Sequence, residues 1–118
     1  MKRKTYRSKK IEEEYQKVLG TLEGKPCFMC NNEPVHTWKR WKLFVNNFPY
    51  DEIAEKNMLL CLNDHREEMN GEDFKELQTI KKLKFMSEYH GLLENLAGSK
   101  SIPDHFHFHV IKRLEDKN

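Results

Sequence analysis

No stretch of this chain is apolar for long enough to cross a bilayer. The longest run, Met58 to Leu62 (MLLCL), falls far short of the roughly 20 residues that a spanning helix needs. The N-terminus is basic and lacks the apolar segment of a secretion signal, so a cytoplasmic protein with no membrane partner is expected. Cysteine is scarce and odd in number: Cys27, Cys30 and Cys61. In a small cytoplasmic chain that argues against a disulfide framework and leaves one Cys-x-x-Cys pair and one single thiol. Cys61 lies inside the apolar run and reads as a buried, inert residue. Internal repeats and low-complexity segments are absent. A net charge of +2 is too small to require a polyanionic partner.

With 118 residues, 37% hydrophobic and 34% charged, the chain suits one soluble domain with a modest core. The charge is unevenly placed. Lys2, Arg3, Lys4, Arg7, Lys9 and Lys10 crowd the first ten positions, and Glu12, Glu13 and Glu14 follow. One reading is a solvated arm leading into a helix whose acidic first turn suits the helix dipole; the other is a nucleic-acid-binding arm.

Ile11, Tyr15, Val18, Leu19 and Leu22 recur at helical spacing over 11–22, and Gly24 and Pro26 end that pattern. Residues 35–38 (VHTW) and 41–46 (WKLFVN) read as a hairpin, NNFPYD as a turn, and 57–62 (NMLLCL) as a buried strand. Phe74, Leu77, Ile80, Phe85, Tyr89 and Leu92 mark the inner face of one long helix over 72–93. A loop, NLAGSKSIPD, leads to a strand over 105–111. Strands and helices do not alternate strictly, which predicts an α+β fold: an antiparallel sheet with one long helix packed on it and an added N-terminal helix.

The segment His105-Phe106-His107-Phe108-His109-Val110 carries the most chemistry. Side chains alternate along a strand, so the three imidazoles share one face and Phe106, Phe108 and Val110 the other. A neutral imidazole can attack phosphorus, and a charged one can bind a phosphate oxygen or protonate a leaving group. Neighbouring imidazoles oppose each other's protonation. A single metal ion held by all three is unfavourable, because three such positions span about 13 Å. Cys27 and Cys30 have the spacing of a zinc knuckle, but two thiolates do not close a structural site, and two further ligands are required.

The His-x-His-x-His-apolar strand, within SIPDHFHFHVIKR, resembles the active-site strand of the histidine-triad superfamily of nucleotide hydrolases and transferases. NNFPY is similar to that family's turn, and MLLCLNDHREEMNGEDFKEL to its strand, loop and helix start. The Cys-x-x-Cys is similar to the zinc-containing branch, which includes galactose-1-phosphate uridylyltransferase and small bacterial members. The resemblance covers about 25–114, leaving 1–24 as a basic arm and helix and 115–118 as a tail. It implies that His107 attacks the α-phosphorus of a nucleotide or nucleotide conjugate and carries a nucleotidyl group. His109 is implied to bind the phosphate or bridging oxygen, and Asn46 the ribose or base. It implies a structural zinc ion completed on Cys27 and Cys30 by His65 and His105; His36 is the substitute candidate if His65 points away. A homodimer is implied as well. Asn57 stands where many members carry a further histidine, His109 where the uridylyltransferases carry glutamine, and Ser101 where a Gln or Ser often precedes the triad.

The segment from Asn95 to Ser101 (NLAGSKS) is either an ordinary connection with Gly98 at a helix end or a phosphate cradle. Asn95, Ser99 and Ser101 are its candidate substrate-binding residues. Trp38, Trp41 and Phe44 could stack on a base but suit packing better. Three readings remain: a nucleotide hydrolase or nucleotidyl transferase; a non-catalytic zinc domain that binds nucleotide or nucleic acid; and a zinc-bound nuclease suggested by Asn63-Asp64-His65, which leaves His107 and His109 unexplained.

Overall fold

The computed structural model describes residues 5–22, 27, 29–96 and 104–115. It is an α+β fold. Helix α1 spans Lys9–Leu22, and then come strands β1 (His36–Thr37), β2 (Trp41–Val45) and β3 (Ala54–Leu62). Helix α2 (Gly71–Lys81), a 3₁₀ helix (Lys84–Glu88), β4 (Gly91–Leu93) and β5 (His107–Arg113) complete it. The five strands form one antiparallel sheet in the order β1-β2-β3-β5-β4. The predicted hairpin, buried strand and N-terminal helix are present. The predicted stops at Gly24 and Pro26 lie outside the described residues.

The two faces of the sheet bury different things. On one, Trp41, Leu43, Leu60, Leu62, Phe108 and Val110 pack against Leu77 and Ile80 of α2 and Met86 of the 3₁₀ helix. On the other, Phe44, Leu59 and Cys61 pack against Met29 from the Cys-x-x-Cys knuckle. Trp41 and Phe44 are therefore packing residues. Cross-strand pairing sets the second face out in rows: Lys42, Cys61 and His107 in one, Phe44, Leu59 and His109 in the next.

The long helix predicted over 72–93 is shorter. It ends at Lys81, the Lys82 N–H closes onto the carbonyls of Thr79 and Ile80, and Leu83 is extended. The reason lies across the sheet. β5 would otherwise present a bare edge, and the chain turns back so that Gly91, Leu92 and Leu93 pair with Ile111, Val110 and His109. Phe74 is 52% exposed and lies off the packed stripe, whose first position is taken by Asp73 at 0%.

Asp73 holds the start of α2. Asn70 and Asp73 form a reciprocal capping box. The Asp73 carboxylate also accepts from Arg40 (3.3 Å) and Arg66 (2.9 Å). Burial alone would raise this carboxyl, but the hydrogen bonds from Arg66, the Asn70 N–H and Arg40 outweigh it and hold it below its ordinary range. An Asp73→Ala variant is expected to lose about 3 kcal/mol, toward the low end for a broken buried pair because the arginines can rehydrate. Asp73→Asn, which can still accept at the cap, is expected to lose less. Urea unfolding midpoints of the two variants check the order.

Candidate metal and histidine centre

Four donors from three separate parts of the chain converge. Cys27 and Cys30 come from the knuckle, closed by the Cys30 N–H on the Cys27 carbonyl at 3.1 Å. His65 follows β3, and His105 stands just ahead of β5. Their ligand atoms all lie within 4.8 Å of one another. His105 Nδ1 is 3.6 Å from Cys27 Sγ and 3.5 Å from Cys30 Sγ, and His65 Nδ1 is 3.3 Å from Cys30 Sγ. Bonds of about 2.3 Å to sulfur and about 2.05 Å to nitrogen at a tetrahedral angle place S and N about 3.6 Å apart. This group can hold a metal ion.

The outer partners prepare the ligands. His105 Nε2–H donates to the Leu62 carbonyl at 2.7 Å, which leaves the lone pair on Nδ1 toward the sulfurs. His65 Nε2 faces Asp104 Oδ2 at 3.1 Å and so also turns Nδ1 inward. Burial lowers the His105 pKa, outweighing the hydrogen bond to the Leu62 carbonyl that raises it, and favours the neutral form that a metal ion would need. Burial and then the neighbouring Cys27 push the Cys30 thiol up, a cost that a cation between the two would relieve. His36, the substitute ligand, is elsewhere: it stacks on Phe85 at 4.2 Å.

His105 departs from expectation in one respect. It precedes β5 rather than sharing its face, so the strand presents two imidazoles, His107 and His109, and the third belongs to the Cys/His group that could hold a metal ion. The pull is tertiary: the Phe106 N–H bonds the Arg66 carbonyl at 2.7 Å, and His105 is drawn to the knuckle.

His107 Nδ1–H donates to the His105 carbonyl at 2.8 Å. A carbonyl can only accept, so this tautomer carries its lone pair on Nε2. His109 is set the other way round. Asn57 Nδ2 donates to the Met58 carbonyl (3.0 Å) and faces His109 Nδ1 at 3.4 Å, which makes Nδ1 an acceptor and leaves the proton on Nε2. Asn57 Oδ1 accepts from Asn46 Nδ2 and from the Tyr50 N–H, each at 3.0 Å. Asn57 is thus a buried organiser of the histidine row, a role legible only in the folded chain. The two rings are nearly covered, at 5% and 4% exposure.

Burial, then His107 and Arg7, drive the His109 pKa down to about 3. The unfolded imidazole titrates near its ordinary value of about 6.5. Between those two values the unfolded chain binds a proton that the folded chain refuses. Stability is therefore full above the unfolded value and falls as pH drops through the window, by at most about 1.4 kcal/mol per pH unit. His109→Gln is expected to flatten this slope; urea midpoints at pH 7 and pH 5 measure it.

Asn46 is buried and lines a cavity of about 350 Å³ with Tyr15 and Val18 of α1, Phe44, Phe48 and Leu59. Leu59 is the cross-strand partner of His109, so the cavity adjoins the histidine row. Its size falls at the lower end for small-molecule sites. A larger cavity, about 500 Å³, follows the β4 edge and contains none of the predicted site residues. Asn95 Nδ2 donates to Tyr50 Oη at 2.7 Å. Ser99 and Ser101 lie outside the described residues. Asn63 bonds the Trp38 and Lys39 carbonyls, and Asp64 is 3.7 Å from Arg66, so neither joins His65 in a nuclease-like centre. Arg7 and Tyr50, which sequence reading did not single out, stand beside His109.

No protein-family profile matches this chain, and no curated protein matches it. Among solved structures it is similar to a hypothetical protein from Leishmania major, with a TM-score of 0.53 at 18% identity over 86% of this chain and 74% of that one. That likeness shows the fold alone. No helix among the described residues is long and apolar enough to cross a membrane.

Proposed function

We propose that this protein is a histidine-triad-like nucleotide hydrolase or nucleotidyl transferase with a structural zinc ion on Cys27, Cys30, His65 and His105. The supporting observation is the opposed setting of two adjacent imidazoles on one sheet face. His107 has its lone pair on Nε2, and His109 has its proton there. One ring can attack phosphorus while the other donates to a phosphate or bridging oxygen. His107 Nε2 would bond the α-phosphorus as the bond to the leaving group breaks. Water or an acceptor hydroxyl would then release the nucleotidyl group. The cavity beside the row, with Tyr15, Phe44 and Asn46 in its wall, suits a nucleoside.

The zinc would not enter the reaction. A mixed thiolate and imidazole donor set suits Zn²⁺ and closes four positions, leaving none for water. Its contribution would be to hold the knuckle against the start of β5, where the His105 carbonyl orients His107.

The test is intact-protein mass spectrometry after mixing with adenylated and uridylylated compounds. A nucleotidyl adduct mapped to His107 is expected. Because the ring is nearly buried, capture of the adduct also tests whether phosphate can reach it. Nucleotide binding with no adduct and no turnover would sink the catalytic reading and favour a non-catalytic zinc domain.

A further inference from the structure

Behind the histidine row lies a second layer of side chains. The Tyr50 ring covers the His109 imidazole almost face to face, with centroids 4.1 Å apart and planes at 16°. Tyr50 is held at both ends: its N–H bonds Asn57 Oδ1, and its hydroxyl accepts from Asn95. The Arg7 guanidinium packs over it, with Cζ 4.8 Å from the Tyr50 centroid and 4.0 Å from that of Tyr15. Arg7 is 5% exposed, its Nε donates to the Phe48 carbonyl at 2.6 Å, and Glu12 lies 3.6 Å from Nη1.

The arm that delivers Arg7 is strapped to the same turn. The Glu52 N–H bonds the Tyr6 carbonyl at 3.0 Å, and the Ser8 N–H bonds Asp51 Oδ1 at 2.7 Å. The segment before α1 therefore helps to build the histidine site. A guanidinium over a ring in a largely desolvated place is a cation–π contact worth keeping, and an aromatic plate restricts the tilt of the imidazole on it.

The geometry points to Arg7 and Tyr50 as positioning residues for His109. The arm sets Arg7 on the Tyr50 ring, and that ring holds the His109 imidazole flat, so that Nε2–H is offered as a neutral donor. Its role in turnover rests on the reading of the site given above; the arrangement itself can be tested without turnover. Among the described residues, the charged or titratable groups facing His109 are His107 on its own strand, the Tyr50 phenol stacked on it, and Arg7 from the arm. Its cross-strand partners, Leu59 of β3 and Leu93 of β4, and the neighbouring Asn57 carry no charge. A nearby guanidinium opposes a second positive charge, and the covering ring removes water that would solvate it.

The experiment is long-range ¹H–¹⁵N NMR of the histidine rings in the full, zinc-loaded chain from pH 8 to pH 5. Native His109 is expected to stay neutral, protonated on Nε2, throughout. Tyr50→Phe keeps the ring and is expected to preserve both properties. Tyr50→Leu removes the plate and is expected to raise the His109 pKa by at least one unit; Arg7→Gln is expected to raise it less. Dispersed amide spectra check that each variant folds, and Arg7→Gln keeps the idea open to refutation if Tyr50→Leu does not. In turnover, Tyr50→Leu is expected to lower kcat about tenfold with little change in KM and to move the acid limb of the pH profile upward. A native His109 that titrates near 6.5, or a folded Tyr50→Leu or Arg7→Gln with unchanged pKa and tautomer, overturns the proposal. If the spectra behave as expected but no nucleotide reacts, the catalytic reading falls while the positioning stands.

Discussion

A His107→Ala chain is expected to fold as the parent does and to form no nucleotidyl adduct. Turnover should fall on the order of 10⁴-fold, as when the nucleophile of a covalent mechanism is removed. The fold should survive because the sheet around His107 is carried by other contacts. Cys61, its cross-strand partner, is anchored by Met29, Phe44 and Leu59, and Phe106, Phe108 and Val110 hold β5 from the opposite face. Replacing the ring leaves a cavity that costs about 2 kcal/mol, a tolerable part of a small domain's stability. On the proposed mechanism His109→Ala should retain a residual rate, since it would lose a donor to the phosphate rather than the attacking atom. Rapid-quench measurement of adduct formation separates the two. An adduct that persists in His107→Ala would place the nucleophile elsewhere.

Removing the metal is expected to have the largest effect on stability. The purified chain should carry one zinc per molecule by elemental analysis. Chelation, or Cys30→Ser, should lower the melting temperature on the order of 15 °C, the shift that a loss of about 4 kcal/mol brings in a domain of this size. Met29 explains why. It lies between the two cysteines, is 2% exposed, and fills the second face of the sheet against Phe44, Leu59 and Cys61. An unpinned knuckle withdraws that side chain, and four ligands drawn from distant segments lose their common constraint. His107, the nucleophile of the proposed mechanism, should feel the loss as well, because its proton is held by the backbone carbonyl of His105, one of the four candidate ligands. A chain that purifies without metal and melts at the same temperature in chelator would remove the metal from the account.

Much of the fold was legible beforehand because its signals are local. Period-two alternation put His107 and His109 on one face and Phe108 and Val110 on the other, as the buried clusters bear out. The aromatic and β-branched residues of β2 and the apolar run of β3 identified two central strands. The end of α2 was not legible: Phe85, Tyr89 and Leu92 keep helical spacing past the point where the chain breaks. They remain near the core after Lys81 because the 3₁₀ helix and β4 return toward the same cluster by another path. Phe74 misled for a related reason, since periodicity marks an apolar side without showing which residue the neighbouring sheet covers.

By itself the sequence determined the strand faces, the knuckle and the kinds of ligand available, since each follows from spacing within a few residues. Tertiary structure decided which atoms meet. It placed His65 and His105 with the knuckle, assigned opposite tautomers to His107 and His109 through one carbonyl and one asparagine, and laid Arg7 from the arm over Tyr50. The physical reason is that the His109 proton depends on Asn57, 52 positions away, and the Cys/His group on pairs 35 to 78 positions apart, and no local pattern encodes their approach; only the His107 proton is set by a near neighbour, the His105 carbonyl.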